Sequence, residues 1–350
     1  MKMKSFFSVL VAVALSVTAF AQTLVTQVKP AGGKKWGYAD LKGDLIIPAQ
    51  YEKCYQFSAD GWAPIYDTDN RQYFFINTKG EKLPTELKKF KLIDGFGFDL
   101  KGFADGLVPV KDGEKWGFLN TQGKVAIPAK YDNVTDFNGG FVPVKVGDKY
   151  FILNTKGEET PVDASITDVK TFSEKLAPCR TADKKAGFLG TDGKIAIAPQ
   201  FESVGYFRGG LAWAKTADKK VGYINTKGDW VIKPTFDTGK DFDPKSGMAR
   251  VKDAGGWAYV STSGNVLKVP DTDLWGDFSN GLAQGRKNGK FGFFNTKGEW
   301  VIEPQFDGSR DFVNGYAAAK KDELWGMIDA SGNWVIQPKF DGIKDMELVK

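Results

Sequence analysis

The 350-residue sequence contains no histidine and only two cysteines, Cys54 and Cys179. Without His, the commonest general base and the commonest metal ligand are missing, and with them every Ser-His or Cys-His catalytic pair. Two cysteines cannot build a zinc site. No complete D-x-[D/N]-x-[D/N]-G calcium loop is present, and the nearest acidic cluster, Tyr66 to Gln72, falls where a hairpin turn is expected. An excess of one charge is lacking too: the net charge is +5, and the lysines are scattered, many of them in turns (Lys79, Lys156, Lys227, Lys297). A nucleic-acid binder would carry a basic face or stripe. Neither cofactor, metal nor nucleic acid is expected.

Beyond residue 21 no apolar stretch approaches the roughly 20 residues that cross a bilayer. The one apolar run lies at the start, "MKMKSFFSVLVAVALSVTAFAQ". Lys2 and Lys4 precede a mostly apolar run from Phe6 to Phe20, and Ala19-Phe20-Ala21 offers small residues for cleavage. Residues 1–21 read as a secretory signal peptide, which implies a periplasmic or extracellular protein. Its removal takes away two lysines and no acid, so the charge falls from +5 to +3. No Cys follows the cleavage point to take a lipid.

What the chain has in abundance is itself. "KFGFFNTKGEWVIEPQFD" (Lys290 to Asp307) returns 34 residues later as "LWGMIDASGNWVIQPKFD". The pattern aromatic-Gly-aromatic-apolar-[N/D]-T-x-G begins near Trp36, Tyr73, Trp116, Tyr150, Ala186, Val221, Trp257, Phe291 and Trp325, at intervals of 37, 43, 34, 36, 35, 36, 34 and 34 residues. Such a period marks a tandem array, here filling residues 22–350.

Each unit reads as an antiparallel meander. In Trp116 to Asp132, two aromatic and β-branched runs flank Asn-Thr-Gln-Gly, a hairpin in which Asn closes the turn and Gly takes positive φ. Gly after Trp lets a neighbouring backbone or ring approach, an approach lost where the pair becomes Tyr73-Phe74 or Tyr150-Phe151. Pro is expected to end the second run, followed by an aromatic-acid pair such as Tyr131-Asp132, Phe236-Asp237 or Phe306-Asp307. Phe-x-x-Gly then leads to a further short strand, as at Phe278 to Ala283. In this register Cys54 and Cys179 fill different apolar slots of non-neighbouring units, so they read as two small buried thiols with no disulfide between them.

The joint recurrence of Trp-Gly (Trp36-Gly37, Trp116-Gly117, Trp325-Gly326), its Gly alone (Gly222, Gly292), Asn-Thr-x-Gly, Pro-x-Phe-Asp and Phe-x-x-Gly resembles the WG-repeat family. The resemblance covers essentially the whole array. It implies a bacterial, often exported, β-rich repeat scaffold and brings no catalytic motif. The units at Tyr73, Tyr150 and Trp257 lack the Pro-x-aromatic-acid segment.

The expected fold is all-β, about nine meanders in an open curved solenoid, with a closed propeller-like ring as the alternative. Propeller blades usually need four strands in roughly 40 or more residues, which favours the open stack. The expected function is a non-catalytic, exported scaffold binding a protein or polysaccharide; the alternatives are a carboxylate-dependent hydrolase of glycan or cell wall and a purely structural envelope component. Carboxylates that recur in unit after unit behave as fold requirements, closing turns by accepting backbone N–H bonds. A hydrolase would draw on the irregular segment Glu81 to Phe103, with Glu86, Asp94 and Asp99; its plain reading is an inserted surface loop or short helix. The ligand candidates are Trp230, Trp300 and Trp334, which open the W-V-I runs where other units have Leu45, Val125 and Ile195. That slot is either core packing or a spaced aromatic row for sugar or peptide stacking.

Overall fold

A computed structural model describes residues 23–93, 100, 102–269 and 271–349. The signal peptide, Asp94 and Asp99 lie outside the described residues. Every helix or strand element among those described is a strand.

The third unit illustrates the plan. Leu107–Asp112 pairs antiparallel with Lys115–Asn120, which pairs with Val125–Tyr131. Leu107 to Val110 are all buried because neighbours cover both faces of the strand. The hairpin closes as its sequence requires: Asn120 Oδ1 accepts the N–H groups of Gln122 and Lys124, each at 3.0 Å, and Gly123 sits at φ +74°.

Gly117 follows Trp116 because the third strand bulges over it. Trp116 faces Tyr131 while Phe118 faces Ile127, so two residues of one strand oppose four of the other. A Cβ on Gly117 would stand 2.5 Å from the Ile127 carbonyl oxygen; at Gly37, Gly222, Gly292 and Gly326 the equivalent gap is 2.4–2.6 Å. Proline belongs in this bulge, where no ladder N–H is needed. It therefore does not end the strand as expected: pairing resumes beyond it at Tyr131. With Phe151 in place of Gly, the ladder from Phe151↔Pro161 to Leu153↔Glu159 runs without a bulge, and the close approach is lost as expected.

The third strand continues into the next unit. One residue past Tyr131, Asn133–Val134 pairs with Phe141–Val146 of the fourth unit. Packing follows the same path. Nine hydrophobic clusters fill the described residues, and each joins two neighbouring units. Aromatic pairs recur at these seams, among them Phe118–Phe137 at 5.1 Å, Tyr223–Phe242 at 4.8 Å and Phe293–Phe312 at 4.7 Å between ring centroids.

Nine units in an open stack would have one seam fewer. The ninth cluster joins Val28 and Ala39 of the first unit to Met327, Ile336, Phe340 and Met346 of the last. Trp334–Ile343 pairs with Thr23–Pro30, and Glu347–Val349 adds to that strand's other end. Met346 stands 34 residues after Phe312 and fills its slot, so the C-terminal tail begins a repeat that the N-terminal strand completes. The array takes the closed alternative and not the open solenoid. Blade arithmetic pointed the other way because it counted separate strands, whereas here one strand bends to serve two sheets.

The segment from Glu81 is not a surface insertion. Phe90 stacks on Phe75 with centroids 5.7 Å apart, and Leu83, Leu92, Leu100 and Phe103 fill the seam between the second and third units. It supplies the apolar volume that the second unit's missing third strand would have provided.

Candidate functional site

The three tryptophans occupy one register, the first residue of Trp230–Phe236, Trp300–Phe306 and Trp334–Ile343. Simple strand alternation would put each on the face of the Ile two residues on, but a register shift intervenes: Ile224 faces Trp230 while Tyr223 faces Ile232, and the strands of Trp300 and Trp334 repeat it. Each Trp therefore lies on the opposite face from its buried Ile, Trp300 at the seam of units seven and eight and Ile302 at that of units eight and nine. Each ring sets an edge-to-face contact. Trp230 meets Phe201 and Trp334 meets Phe306, both of the preceding unit, while Trp300 meets Phe294 of its own. Trp230 is nevertheless 36% exposed, and the other two are half-buried. The slot is thus neither closed core nor free platform.

The sequence reading missed how far this exposure extends. Seven of the eight exposed large hydrophobics lie in the first two positions of third strands: Leu45, Ile46, Val125, Trp230, Val231, Val266 and Val301. These strands end their sheets, so the ring carries an apolar band along a series of sheet edges. The signal was present in the slot's apolar preference, but periodicity alone cannot distinguish an apolar residue facing a neighbour from one facing water.

The Trp-Gly tryptophans have a different place. Trp36 lies against Gly342, where a Cβ would stand 2.8 Å from its ring, and Trp325 lies beside Gly308. Lys29 and Lys344 sit about 6 Å from the Trp36 centroid. Trp116 packs on the seam between units three and four. These residues, with Gly37, Gly117, Gly222, Gly292 and Gly326, build the bulge and the junction.

The carboxylates mostly close structure. Asp132 pairs with Lys115 and accepts the Gly147 N–H at 2.7 Å; Asp307 repeats the arrangement with Lys290 and the Asp322 N–H. Those lysine hydrogen bonds hold both carboxyls below the usual Asp range. Glu86 accepts the Val125 N–H at 2.8 Å and so caps a neighbouring strand. Asp241 and Asp311 are pushed up, both by desolvation first and Asp311 further by Asp277 and Asp345. Asp311 precedes the Phe of Phe-x-x-Gly and Asp241 precedes the equivalent Phe242, a slot also holding Asp136, Asp277 and Asp345, so they stand in repeat register. Among the described residues no group of His, Cys, Asp or Glu is placed to hold a metal ion.

Cys54 and Cys179 are free, and burial pushes each thiol up to about 12.

Seams, bulges and terminal closure define an all-β repeat protein whose units form a propeller-like ring. The family profile described as "WG containing repeat" matches residues 36–67, 116–150, 187–219, 222–257, 291–325 and 325–347. These segments make up more than half of the sequence, and the chain belongs to the WG containing repeat family. The crystal structure of a eukaryotic initiation factor is similar across 93% of this chain and 98% of its own, at 11% identity and a TM-score of 0.58, a likeness of fold. AztD from Citrobacter koseri (12% identity, TM-score 0.43, 94% of this chain and 99% of its own) and BamB from Moraxella catarrhalis (12%, 0.43, 80% and 94%) resemble it more loosely. No protein of curated function matches the sequence.

Proposed function

We propose that the protein is an exported, non-catalytic scaffold that holds a protein partner along the apolar band formed by the openings of its third strands. The observation that carries this reading is the confinement of seven of the eight exposed large hydrophobics to that one register. Exposed apolar residues gathered in one register of a repeat favour an interaction surface, and large aromatics with part of each ring uncovered serve as anchors. A polysaccharide is the second reading, favoured by the tryptophans, whose flat apolar faces suit sugar stacking. The carboxylate-dependent hydrolase is the weaker alternative, because the carboxyls with raised affinity for a proton recur with the repeat instead of forming one singular pair.

Export rests on the leader alone, and mass spectrometry of envelope protein tests it: an N-terminus near Gln22 supports cleavage, an intact Met1 refutes it. Binding is tested by pull-down from envelope extract and by a glycan array, using the mature chain and a Trp230→Ala, Trp300→Ala, Trp334→Ala variant. Equal capture by both proteins would sink the band as the binding surface.

A further inference from the structure

The second unit departs from the repeat at one chemically coherent place. In units three to nine the residue paired across from the first aromatic position is Lys or Arg, as in Lys111 opposite Trp116, Lys145 opposite Tyr150, Lys252 opposite Trp257 and Lys320 opposite Trp325. In the second unit it is Tyr66, opposite Tyr73. The rings lie 5.0 Å apart at 56°, and Tyr55 adds a third at 6.4 Å and 49° from Tyr73. These tyrosines wall a cleft of about 330 Å³ whose rim carries Lys53, Arg71 and Lys91.

A missing acid accounts for the positive rim. At most other junctions the residue before the junction strand is acidic: Asp132 stands near Lys145, and Asp307 near Lys320. Lys91 bridges Lys111 as Asn133 pairs with Lys145, which puts Phe90 in the slot of Asp132. Among the described residues none of Lys53, Arg71 and Lys91 forms an ion pair. Arg71 is held in place by its turn, because Asp67 accepts the N–H groups of Asp69 and Asn70 at 3.1 and 3.0 Å and Arg71 itself takes φ +51°.

We infer that this cleft binds an acidic saccharide, its carboxylate held by Arg71 and the flanking lysines and its sugar ring resting on the tyrosines. Guanidinium matches a carboxylate through two parallel hydrogen bonds. The mutually tilted rings form a concave wall and not a parallel slot, which suits a puckered sugar better than a planar base. The volume lies at the small end of ligand pockets, which run about 300–1,000 Å³. This site is separate from the tryptophan band and does not depend on it.

Calorimetric titration of the mature chain with trigalacturonate, its fully methyl-esterified form and inorganic phosphate tests the assignment. The free acid should bind, with the ester at least about tenfold weaker. Arg71→Gln should weaken the acid by a similar factor while leaving the unfolding midpoint unchanged, since Arg71 is exposed. Tyr66→Lys restores the repeat's usual residue and adds charge; it should weaken binding if the ring supports the sugar. Stronger binding by Tyr66→Lys, equal binding of the ester, phosphate binding as tight as the trimer, or no binding at millimolar concentration would each overturn the inference. Trp300→Ala should leave the affinity for trigalacturonate unchanged, so undiminished partner capture by the tryptophan variants counts against the proposed function alone.

Discussion

Val28, in the first strand of the described chain, lies directly opposite Ile343, close to its end, in an antiparallel ladder. Beside them sit Thr26, Gln27 and Glu347, the buried polar side chains among the described residues. Gln27 Nε2 donates to Glu347 Oε1, and the Phe57 N–H donates to Glu347 Oε2, both at 2.7 Å. One carboxylate therefore ties the closing strand to the second unit. Replacing Glu347 by Ala strands two buried donors and should destabilise the protein by roughly 2–4 kcal/mol. Urea unfolding of the mature chain reads this directly; an unchanged midpoint would mean that the ends do not meet.

Two glycines separate steric need from backbone conformation. A Cβ at Gly117 meets the Ile127 carbonyl, whereas one at Gly113, at φ +60°, meets nothing within 4 Å. Gly117→Ala should lose about 2–3 kcal/mol or more through displacement of the bulge, and Gly113→Ala about 1–2 kcal/mol through its left-handed backbone. Equal losses in chemical denaturation would remove the bulge as the reason for the Trp-Gly pair.

The thiols give a test of register. Unfolded, unreduced protein should consume two equivalents of a thiol reagent, one each for Cys54 and Cys179. Folded protein at about pH 8 should react far more slowly, because the nucleophile is the thiolate and both thiols are pushed up to about 12. Cys179 is buried as expected whereas Cys54 is half-buried, so rapid reaction of Cys179 in the folded state would contradict its place in the core.

The acids should oppose one another in their pH dependence. Asp132 and Asp307 have depressed folded values, so what they contribute is present above their ordinary value of 3.8 and is lost as pH falls through the folded value below it. Asp311 is raised, so its carboxyl favours the fold when protonated and disfavours it as pH climbs through and beyond 3.8. Asp311→Asn should therefore raise the thermal midpoint at pH 7, with the gain shrinking as the buffer approaches pH 3. A variant less stable than the parent at neutral pH would point to a hydrogen-bonding need for the carboxylate.

The sequence by itself determined the nine-unit period, the meander in each unit, the Asn-closed turns and the glycine that admits a neighbouring backbone. All of these are local: a 34-residue recurrence, an Asn two residues from the N–H it accepts, a missing Cβ. Closure was decided elsewhere. Whether Met346 completes a tenth beginning or ends a ninth unit depends on where residues 23–30 lie in space, and the sum of small rotations between units is written in no single repeat. The apolar slot of Trp300 likewise reads the same whether it faces a neighbour or solvent; tertiary packing exposed Val125 and Trp230 while burying Ile232 two residues further on. The basic tyrosine cleft needed both sources, since Tyr66 in place of Lys is visible in the aligned repeats, but only the folded seam brings Lys91 beside it.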